Sequence, residues 1–301
     1  MEQFNDIVSI VVATYRRDKT LICAIKSLIN QTYRNIEIII VDDNNDDEWN
    51  DIVKQIVESF KVPDGKTIKL IVNKQNMGSA KTRNIGIDAA VGEYVTFLDD
   101  DDIYLPNKVE TQIRLMVNKK ADYSITDLTL LNEDNSISEN RRRNYLNTKE
   151  GDNLMVCHMK YHMTGTDTMM FRRSYLNEIG KFEAIDVGDE FYLMVKAIEK
   201  NGKFAYLPES YVKAYVHTGE GGLSSGETKI EGENDLYNYK REKYVAFSRK
   251  DRKYIDMRHH AVLAFAYKRN GKIVRFILEG LYSFVLSPSA AIKLLYDIKT
   301  T

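Results

Sequence analysis

Four consecutive acids occupy residues 99–102, directly after the apolar segment 94–98. Adjacent carboxylates repel one another, and a bound cation relieves that repulsion. Carboxylate oxygens are the ligands that hard ions such as Mg²⁺ and Mn²⁺ prefer. The run is therefore a candidate cation site. A solvated acidic turn that caps the following helix explains the same residues equally well, and the run alone does not separate the two.

Two further polar clusters stand at the ends of apolar runs: Thr14 and Tyr15 after 7–13, and Asp42 and Asp43 after 36–41. Each run is typical of a buried strand, and parallel strands end at one edge of a sheet, where ligands bind. A single acid there is most often a helix cap, but three clusters favour a ligand site. An aromatic ring, hydrogen-bond acceptors and cation ligands suit a sugar nucleotide with a metal-bound diphosphate.

Lys81 and Arg83 lie in the first turns of a helix predicted over residues 79–90. Cations are unfavourable at this end of a helix because they oppose its dipole. Their position is explained if they face a phosphate or the acidic run, and simple solvation is the alternative.

The second half of the chain offers three more candidates. Asp189 and Glu190 begin a helix predicted over 189–200, where acids either compensate the helix dipole or supply a general base. His217 stands where a predicted strand meets a glycine-rich loop, and imidazole suits a metal or phosphate contact. A single histidine is more often structural, so both interpretations stay open. The glycines that follow are typical of a mobile lid.

The elements that must position these residues alternate through the first hundred positions. Strands are predicted over 7–13, 36–41, 68–72 and 94–98, and helices over 20–31, 49–60 and 79–90. This alternation implies right-handed crossovers and a largely parallel sheet. After Gly151 the alternation breaks. Further strands are predicted over 122–131, 168–171, 204–207 and 211–216, with 168–171 in a more mixed part of the sheet.

Two later segments have less regular patterns. Residues 132–144 are predicted to form a polar loop whose arginines at 141–143 are solvated. Helices are predicted from about residue 233, and within them 273–286 is too apolar for an exposed helix. Packing onto the main domain or a partner is favoured. The alternative is a helix on a membrane surface that carries Lys272 and Arg275.

Bulk properties exclude several classes of protein. The 301 residues carry a net charge of −1, which gives no sign of a nucleic-acid partner. The 2 cysteines lack metal-ligand spacing and are expected to be reduced, in keeping with a cytoplasmic location. Acids precede the first apolar run, so no signal peptide is expected. No apolar run reaches the ~18 residues of a membrane span.

Segments 8–16, 37–43, 78–86 and 92–102 together resemble glycosyltransferase family 2, the inverting transferases with the GT-A fold. The resemblance covers residues 7–105 and continues more weakly to His217. It implies an α/β fold with a GT-A (Rossmann-like), mostly parallel mixed sheet flanked by helices. The expected GT-A domain spans 1–232, with a nucleotide-binding half at 1–105 and an acceptor-binding half at 106–232. A C-terminal helical extension covers 233–301.

The resemblance also assigns nucleotide-binding roles. Thr14 and Tyr15 match the residues that contact the uracil base, and Asp43 matches the acid that hydrogen-bonds its N3. Arg83 matches the basic residue near the nucleotide. Asp100 matches the ribose or sugar contact. The implied donor is therefore a UDP-sugar.

The remaining roles concern the metal and the base. Asp99 and Asp101 match the DxD pair, whose last acid coordinates Mn²⁺ or Mg²⁺ on the diphosphate. His217 matches a histidine that some members place near that metal. Asp189 and Glu190 stand where the family carries its catalytic base. The family often has Glu-Asp and this chain has Asp-Glu, so either acid remains a candidate.

The implied activity is inverting, metal-dependent transfer of a hexose or N-acetylhexosamine to a hydroxyl of a glycan or lipid-linked acceptor, in surface-polysaccharide synthesis. The acceptor pocket is expected from about residues 145–235. The C-terminal helices are expected to contact a membrane peripherally, at its inner face, or to form a homo-oligomer. One alternative is a non-catalytic sugar-nucleotide-binding subunit. Another is a nucleotidyltransferase, which would be expected to carry a glycine-rich basic loop after its first strand.

Overall fold

The computed structural model describes residues 5–147, 153–185, 187–216 and 226–300. Their contacts divide the chain into two compact units. The first, unit 1, contains residues up to 144 together with 164–184 and 189–216. The second, unit 2, contains 145–163, 185–188 and 217–301. The domain boundary expected at residue 232 stays a prediction.

Four parallel strands form one half of the sheet of unit 1, in the order β3-β2-β1-β4. They are β1 (Val8–Thr14), β2 (Ile36–Asp42), β3 (Lys66–Val72) and β4 (Tyr94–Phe97). The helices between them are α1 (Lys19–Ile29), α2 (Asp47–Ser59) and α3 (Ser79–Ala89). β1, β2 and β4 are almost wholly buried, which explains their continuous apolar runs.

The other half of the sheet is mixed, in the order β8-β6-β9-β5, with β7 paired to β6. These strands are β5 (Ile103–Tyr104), β6 (Tyr123–Leu131), β7 (Ile137–Arg141), β8 (Met169–Arg172) and β9 (Phe204–Tyr215). β8 is antiparallel to both β4 and β6, which confirms the mixed character expected near residue 168. The flanking helices are α4 (Lys108–Lys119), α6 (Arg173–Glu178) and α7 (Asp189–Glu199).

Three expectations for this half are wrong. The two strands predicted between 204 and 216 are one strand, β9, whose register against β6 shifts near Asp127. The loop predicted over 132–144 contains β7. Arg143 is not solvated but 3% exposed, because its guanidinium donates to the Thr126 carbonyl at 2.6 Å. Arg141 and Arg142 are exposed, as expected.

Close packing of α3 on the sheet brings the predicted basic residues toward the strand ends. A Cβ on Gly86 would lie 2.3 Å from Val11 Cγ1, so only glycine permits this approach of α3 to β1. Within α3, Lys81 is exposed and Arg83 is 9% exposed. Of the two interpretations left open by the sequence, solvation fits the exposed Lys81, whereas Arg83 is buried.

Unit 2 is helical in its described residues. Its helices are α5 (Leu154–Tyr161), α8 (Gly226–Glu242), α9 (Arg249–Arg269), α10 (Ile273–Leu286) and α11 (Pro288–Thr300). The helical region begins at Gly226, ahead of the predicted residue 233. These helices are interrupted between Glu242 and Arg249, between Arg269 and Ile273, and at Ser287.

The burial expected for 273–286 is not found among the described residues, and packing of this segment onto a partner stays a prediction. Eight large apolar residues of α10 are between 44% and 76% exposed: Ile273, Val274, Ile277, Leu278, Leu281, Tyr282, Phe284 and Val285. α10 packs against α9 and α11 within unit 2. Across the described ranges, no helix is both long and apolar enough to cross a membrane.

Candidate active site

The C-terminal ends of β2, β1 and β4 lie side by side, as the alternation of strands and helices predicted. The Thr14 hydroxyl donates to Asp100 Oδ2 at 2.7 Å, and the Tyr15 N–H donates to the same oxygen at 3.2 Å. The Asp43 N–H donates to the Thr14 carbonyl at 3.0 Å. The three polar clusters therefore meet at one edge of the sheet.

Tyr15 gives this edge an accessible aromatic surface. Tyr15 is 47% exposed, and the Arg16 guanidinium lies 5.5 Å from the centroid of the Tyr15 ring. An exposed ring of this kind is available to stack on a planar ligand.

Asp43 organises the turn before α3. Its carboxylate accepts from Asn73 Nδ2 at 2.7 Å, the Met77 N–H at 2.8 Å and the Gly78 N–H at 2.9 Å. Gly78 caps α3 with φ +78°, a conformation that favours glycine. A carboxylate offers about four acceptor positions, so about one remains for a ligand.

Asp42, which precedes it, is fully buried and orders the neighbouring loop. Its Oδ1 accepts from the Asn44 N–H at 2.9 Å and from Asn44 Nδ2 at 2.7 Å. Asn44 Oδ1 in turn accepts from the Arg16 N–H at 2.6 Å. Burial raises the pKa of Asp42. Asn44 and Asn73 were not predicted from the sequence, because Asn44 is an uncharged residue among the acids of segment 42–47 and Asn73 is a single amide after β3.

Arg83 joins two predicted site acids that lie far apart in the chain. One guanidinium nitrogen is 2.8 Å from Asp189 Oδ2 and another is 2.7 Å from Asp99 Oδ1. Burial alone would lower the pKa of Arg83, but the charges of Asp99 and Asp189 outweigh it and raise that pKa. Arg83 therefore faces the acidic run, as one interpretation of the sequence expected.

Arg17 lies beside the next two acids. Its Nη2 is 3.1 Å from Asp101 Oδ2, and its Nε is 3.8 Å from Asp100 Oδ1. Burial and the adjacent charge of Asp101 raise the pKa of Asp100 to about 7. The Arg17 side chain is 38% exposed, so its guanidinium is accessible to an anion bound beside these acids.

A second acidic group lies deeper. Oxygens of Asp99, Asp102 and Asp167 all lie within 4.8 Å of one another, a grouping able to hold a metal ion. Burial raises the pKa of Asp102 well above the usual aspartate value, and the contact with Asp167 adds to that rise. Burial and the charge of Asp99 raise the pKa of Asp167 to about 7. A shared proton or a hard cation would relieve this crowding.

Asp167 was not predicted from the sequence to belong to the site. It precedes β8 instead of following a strand, and its Oδ1 accepts from the Asp99 N–H at 2.8 Å. Only the antiparallel entry of β8 brings its first residues to the edge where β4 ends. Asp102, the last acid of the run, belongs to this group and accepts from the Tyr215 N–H at 2.9 Å.

A buried lysine supports the turn that carries Asp167. Lys108 is 0% exposed, and its ammonium donates to Thr96 Oγ1 and to the Tyr104 hydroxyl, both at 2.6 Å. The Tyr104 hydroxyl lies 3.0 Å from the Asp167 carbonyl. Burial lowers the pKa of Lys108 well below its usual value. Its hydrogen bonds to Thr96 and Tyr104 make this lysine a structural support of the turn.

Asp189 and Glu190 open α7 at the same place. Asp189 is 5% exposed, and the Glu190 N–H donates to its Oδ1 at 2.8 Å. Burial raises the pKa of Asp189 to about 7, against the lowering effect of Arg83. Glu190 is half-buried. His217 lies outside the described residues.

Sequence comparisons identify the family. A model described as glycosyl transferase family 2 matches residues 9–180. An uncharacterized glycosyltransferase of Methanocaldococcus jannaschii is 26% identical over 99% of this chain and 95% of its own length. UDP-Glc:alpha-D-GlcNAc-diphosphoundecaprenol beta-1,3-glucosyltransferase WfaP of Escherichia coli is 36% identical over 40% of this chain. That match spans 46% of the Escherichia coli protein. An uncharacterized glycosyltransferase of Haemophilus influenzae is 31% identical over 50% of this chain and 60% of its own length.

Solved structures share the fold. The structure of S. aureus TarS 1-349 in complex with UDP-GlcNAc superposes with a TM-score of 0.59 at 17% identity, over 93% of this chain and 91% of that one. Mannosyltransferase PcManGT from Pyrobaculum calidifontis, in complex with GDP-Man and Mn²⁺, superposes with a TM-score of 0.60 at 16% identity, over 99% and 83%. These matches confirm the GT-A fold expected from the sequence. Because the family model covers more than half of the chain, this protein belongs to glycosyl transferase family 2 and is a glycosyltransferase.

Proposed function

We propose that this enzyme transfers a sugar, with inversion, from a UDP-sugar to a hydroxyl of a glycan or lipid-linked acceptor in surface-polysaccharide synthesis. The convergence of three strand ends, with Thr14 bonded to Asp100 at 2.7 Å, carries the proposal. An exposed Tyr15 ring suits a base, and the acidic turn suits a metal-bound diphosphate. UDP-GlcNAc in the TarS structure and the UDP-glucose and lipid-linked acceptor in the name of WfaP support this choice.

Glu190 is our candidate for the general base. Both oxygens of Asp189 already accept hydrogen bonds, from Arg83 and from the Glu190 N–H. A base must come within hydrogen-bond reach of the proton that it removes. Glu190 is adjacent and more accessible, whereas Asp189 holds Arg83 against the acidic run.

The reaction then needs one displacement. Glu190 removes the proton of the acceptor hydroxyl, and that oxygen forms a bond to the anomeric carbon while the bond to the diphosphate breaks. Attack from the face opposite the diphosphate inverts the anomeric configuration. Arg17, which lies beside Asp100 and Asp101, is placed to neutralise charge on the departing group. A bound Mn²⁺ or Mg²⁺ supplies Lewis-acid stabilisation of the same charge.

Asp101 is our candidate for the metal ligand, with Asp99 and Asp100 facing the donor. We expect Asp101→Asn to remove the metal dependence of donor binding and to lower activity by about 10²-fold, because one charged ligand is lost. The measurement is UDP-sugar affinity in Mn²⁺ and in a chelator. Asp102→Asn is the matched variant. Loss of metal dependence in that variant alone would move the ion to the group formed with Asp167.

A screen of nucleotide sugars tests the function. The purified chain is incubated with UDP-, GDP- and deoxythymidine diphosphate sugars, with and without Mn²⁺, and nucleotide release is followed. We expect metal-dependent release from at least one UDP-sugar. If no UDP-sugar releases its nucleotide, with or without Mn²⁺, the proposed donor class is overturned. In a separate incubation with a nucleoside triphosphate and a sugar phosphate, release of pyrophosphate would favour a nucleotidyltransferase.

We also propose that α10 rests on the inner face of a membrane, where a lipid-linked acceptor resides. Its exposed apolar face is accompanied by Arg275 and by Lys272, which forms an ion pair with Glu227, and the Glu279 carboxylate lies 2.6 Å from His260 Nδ1. A helix with apolar and basic residues suits the interface of an anionic bilayer. This surface replaces the packing that the sequence suggested. A homo-oligomer through the same face is the alternative.

Vesicle binding checks this surface. We expect Leu281→Glu combined with Val285→Glu to weaken binding to phosphatidylglycerol-containing vesicles at least about tenfold, because charge is costly at the apolar interface. Val245→Glu is the control, since Val245 is 94% exposed and belongs to the short helix Tyr244–Ala246, outside α10. Unchanged binding in the double variant would contradict membrane contact, and a concentration-dependent dimer that the double variant dissolves would indicate the oligomer.

A further inference from the structure

A groove in unit 1, apart from the strand-end acids, has the chemistry of a carbohydrate site. Its volume is about 340 Å³, within the range of small-molecule sites. The lining residues come from β6, β7, β9 and the segment after β7: Asp127, Leu128, Asn140, Arg142, Asn144, Pro208 and Ser210. The set combines a carboxylate, two amides, a guanidinium and a hydroxyl, so it offers both donors and acceptors.

An irregularity in the sheet opens this groove. Thr126 pairs with Leu207 and Asp127 pairs with Ser210, so Pro208 and Glu209 are extra residues on β9. Such a bulge bends its strand and re-aims neighbouring side chains. Proline has no N–H to donate to the ladder, which suits it to this position. The two extra residues on β9 therefore interrupt its pairing with β6 beside Asp127.

Asp127 is fixed by one oxygen only. Its Oδ1 accepts from the Tyr206 hydroxyl at 2.7 Å and from the Arg143 N–H at 3.0 Å. Its Oδ2 has no hydrogen-bond partner among the described residues, although Asp127 is 4% exposed overall. A rigidly held carboxylate with one unused oxygen is well suited to accept from ligand hydroxyls.

The other polar groups around the groove are also ordered. Ser210 Oγ lies 2.8 Å from Thr129 Oγ1, which in turn lies 3.2 Å from Asn140 Oδ1. Arg142 forms no ion pair with any residue in the described ranges and is exposed. The lining contains one acid and one base, and the buried Arg143 guanidinium lies 3.9 Å from Asp127 Oδ1. It contains no aromatic ring for a nucleobase. The carboxylate, amide and hydroxyl groups favour a polyhydroxylated ligand over a nucleotide.

We propose that this groove binds a sugar residue of the acceptor glycan, with Asp127 and Arg142 as its specificity-determining contacts. The assignment rests on the proposed transferase function and deepens it, because the groove lies within residues 106–232, the half expected to bind the acceptor. Only Pro208 and Ser210 of its lining belong to the narrower segment 145–235 from which the acceptor pocket was expected. It is the acceptor sugar, not the donor, that these residues hold.

The test uses the full chain and a panel of methyl glycosides of hexoses and N-acetylhexosamines at about 10 mM, a concentration that detects weak single-sugar binding. Side-chain amide signals of Asn140 and Asn144 are followed by NMR. At least one glycoside is expected to shift them saturably. Asp127→Asn and Arg142→Ala are each expected to weaken that binding at least about tenfold. A panel in which no glycoside shifts these signals overturns the proposal.

One conservative test variant and one control make the result specific. Asp127→Asn keeps an oxygen that accepts from the Tyr206 hydroxyl and the Arg143 N–H, and it removes the negative charge that lies 3.9 Å from the Arg143 guanidinium. Arg141→Ala removes the exposed arginine next to Arg142, which does not line the groove, and is expected to leave binding unchanged. Glycoside binding that is equally strong in Asp127→Asn would overturn the assignment. UDP affinity of the wild-type chain is measured in parallel. If the chain does not bind UDP, the donor proposal is refuted. If it binds UDP but none of the glycosides, only the groove proposal is refuted.

Discussion

Replacement of Glu190 by Gln is expected to lower kcat by about 10³-fold, in the range that general bases contribute. The amide cannot take a proton from the acceptor hydroxyl, while its size preserves the first turn of α7. The Kd for the UDP-sugar should be unchanged, since Glu190 is assigned no donor contact. The measurement is initial-rate transfer, or hydrolysis of the donor where no acceptor has been supplied.

Asp189→Asn is the matched variant. Asparagine still offers an oxygen to the Glu190 N–H or to Arg83, so the loss of kcat should be smaller than in Glu190→Gln. If instead Asp189→Asn abolished turnover and Glu190→Gln left kcat within about threefold of wild type, the base would be Asp189. Its pKa of about 7 would then be suited to that task.

The second large effect concerns stability. Arg83→Met is expected to destabilise the fold by about 3 kcal/mol near pH 8, because it leaves the buried Asp189 without its cation. Burial places the pKa of Asp189 at about 7, far above the value of an unfolded aspartate. Below that pH the carboxyl is protonated in the folded wild-type chain and needs no cation, so the loss should shrink toward about pH 5.5.

Urea unfolding at the two pH values measures this effect. Lys81→Met, on an exposed position of the same helix, is the control and should change the free energy of unfolding by less than about 0.5 kcal/mol. A loss in Arg83→Met that does not vary with pH would contradict an electrostatic origin. A loss no larger than that of Lys81→Met would contradict the bridging role itself.

Much of the candidate site was predictable because it depends on local patterns. Thr14, Asp43 and the acids after β4 follow buried runs, and the alternation of strands with helices makes those runs parallel neighbours. Arg83 was flagged by its unfavourable position at a helix start. These signals lie within a few residues of the groups that they identify.

The unpredicted parts depend on pairings between distant segments. Asp167 reaches the site only because β8 enters the sheet antiparallel between β4 and β6. The sequence around Arg142 and Arg143 does not show which of the two is buried. Arg143 is buried because its guanidinium contacts the Thr126 carbonyl and Asp127, which lie on a distant strand. The two strands predicted on either side of Pro208 are one strand with a bulge at that residue. The register of a strand depends on the partner it pairs with, so local patterns along the chain do not predict it.

Titration of UDP tests the central claim most directly, since UDP carries the base and the diphosphate without the unknown sugar or acceptor. With Mn²⁺ present, the wild-type chain is expected to bind UDP with a Kd of about 10 µM or tighter, in preference to GDP. A chelator should weaken binding at least about tenfold, because the diphosphate loses its counter-charge. Binding of GDP in preference to UDP, or no binding of UDP with metal present, would contradict a UDP-sugar site at the ends of β1, β2 and β4.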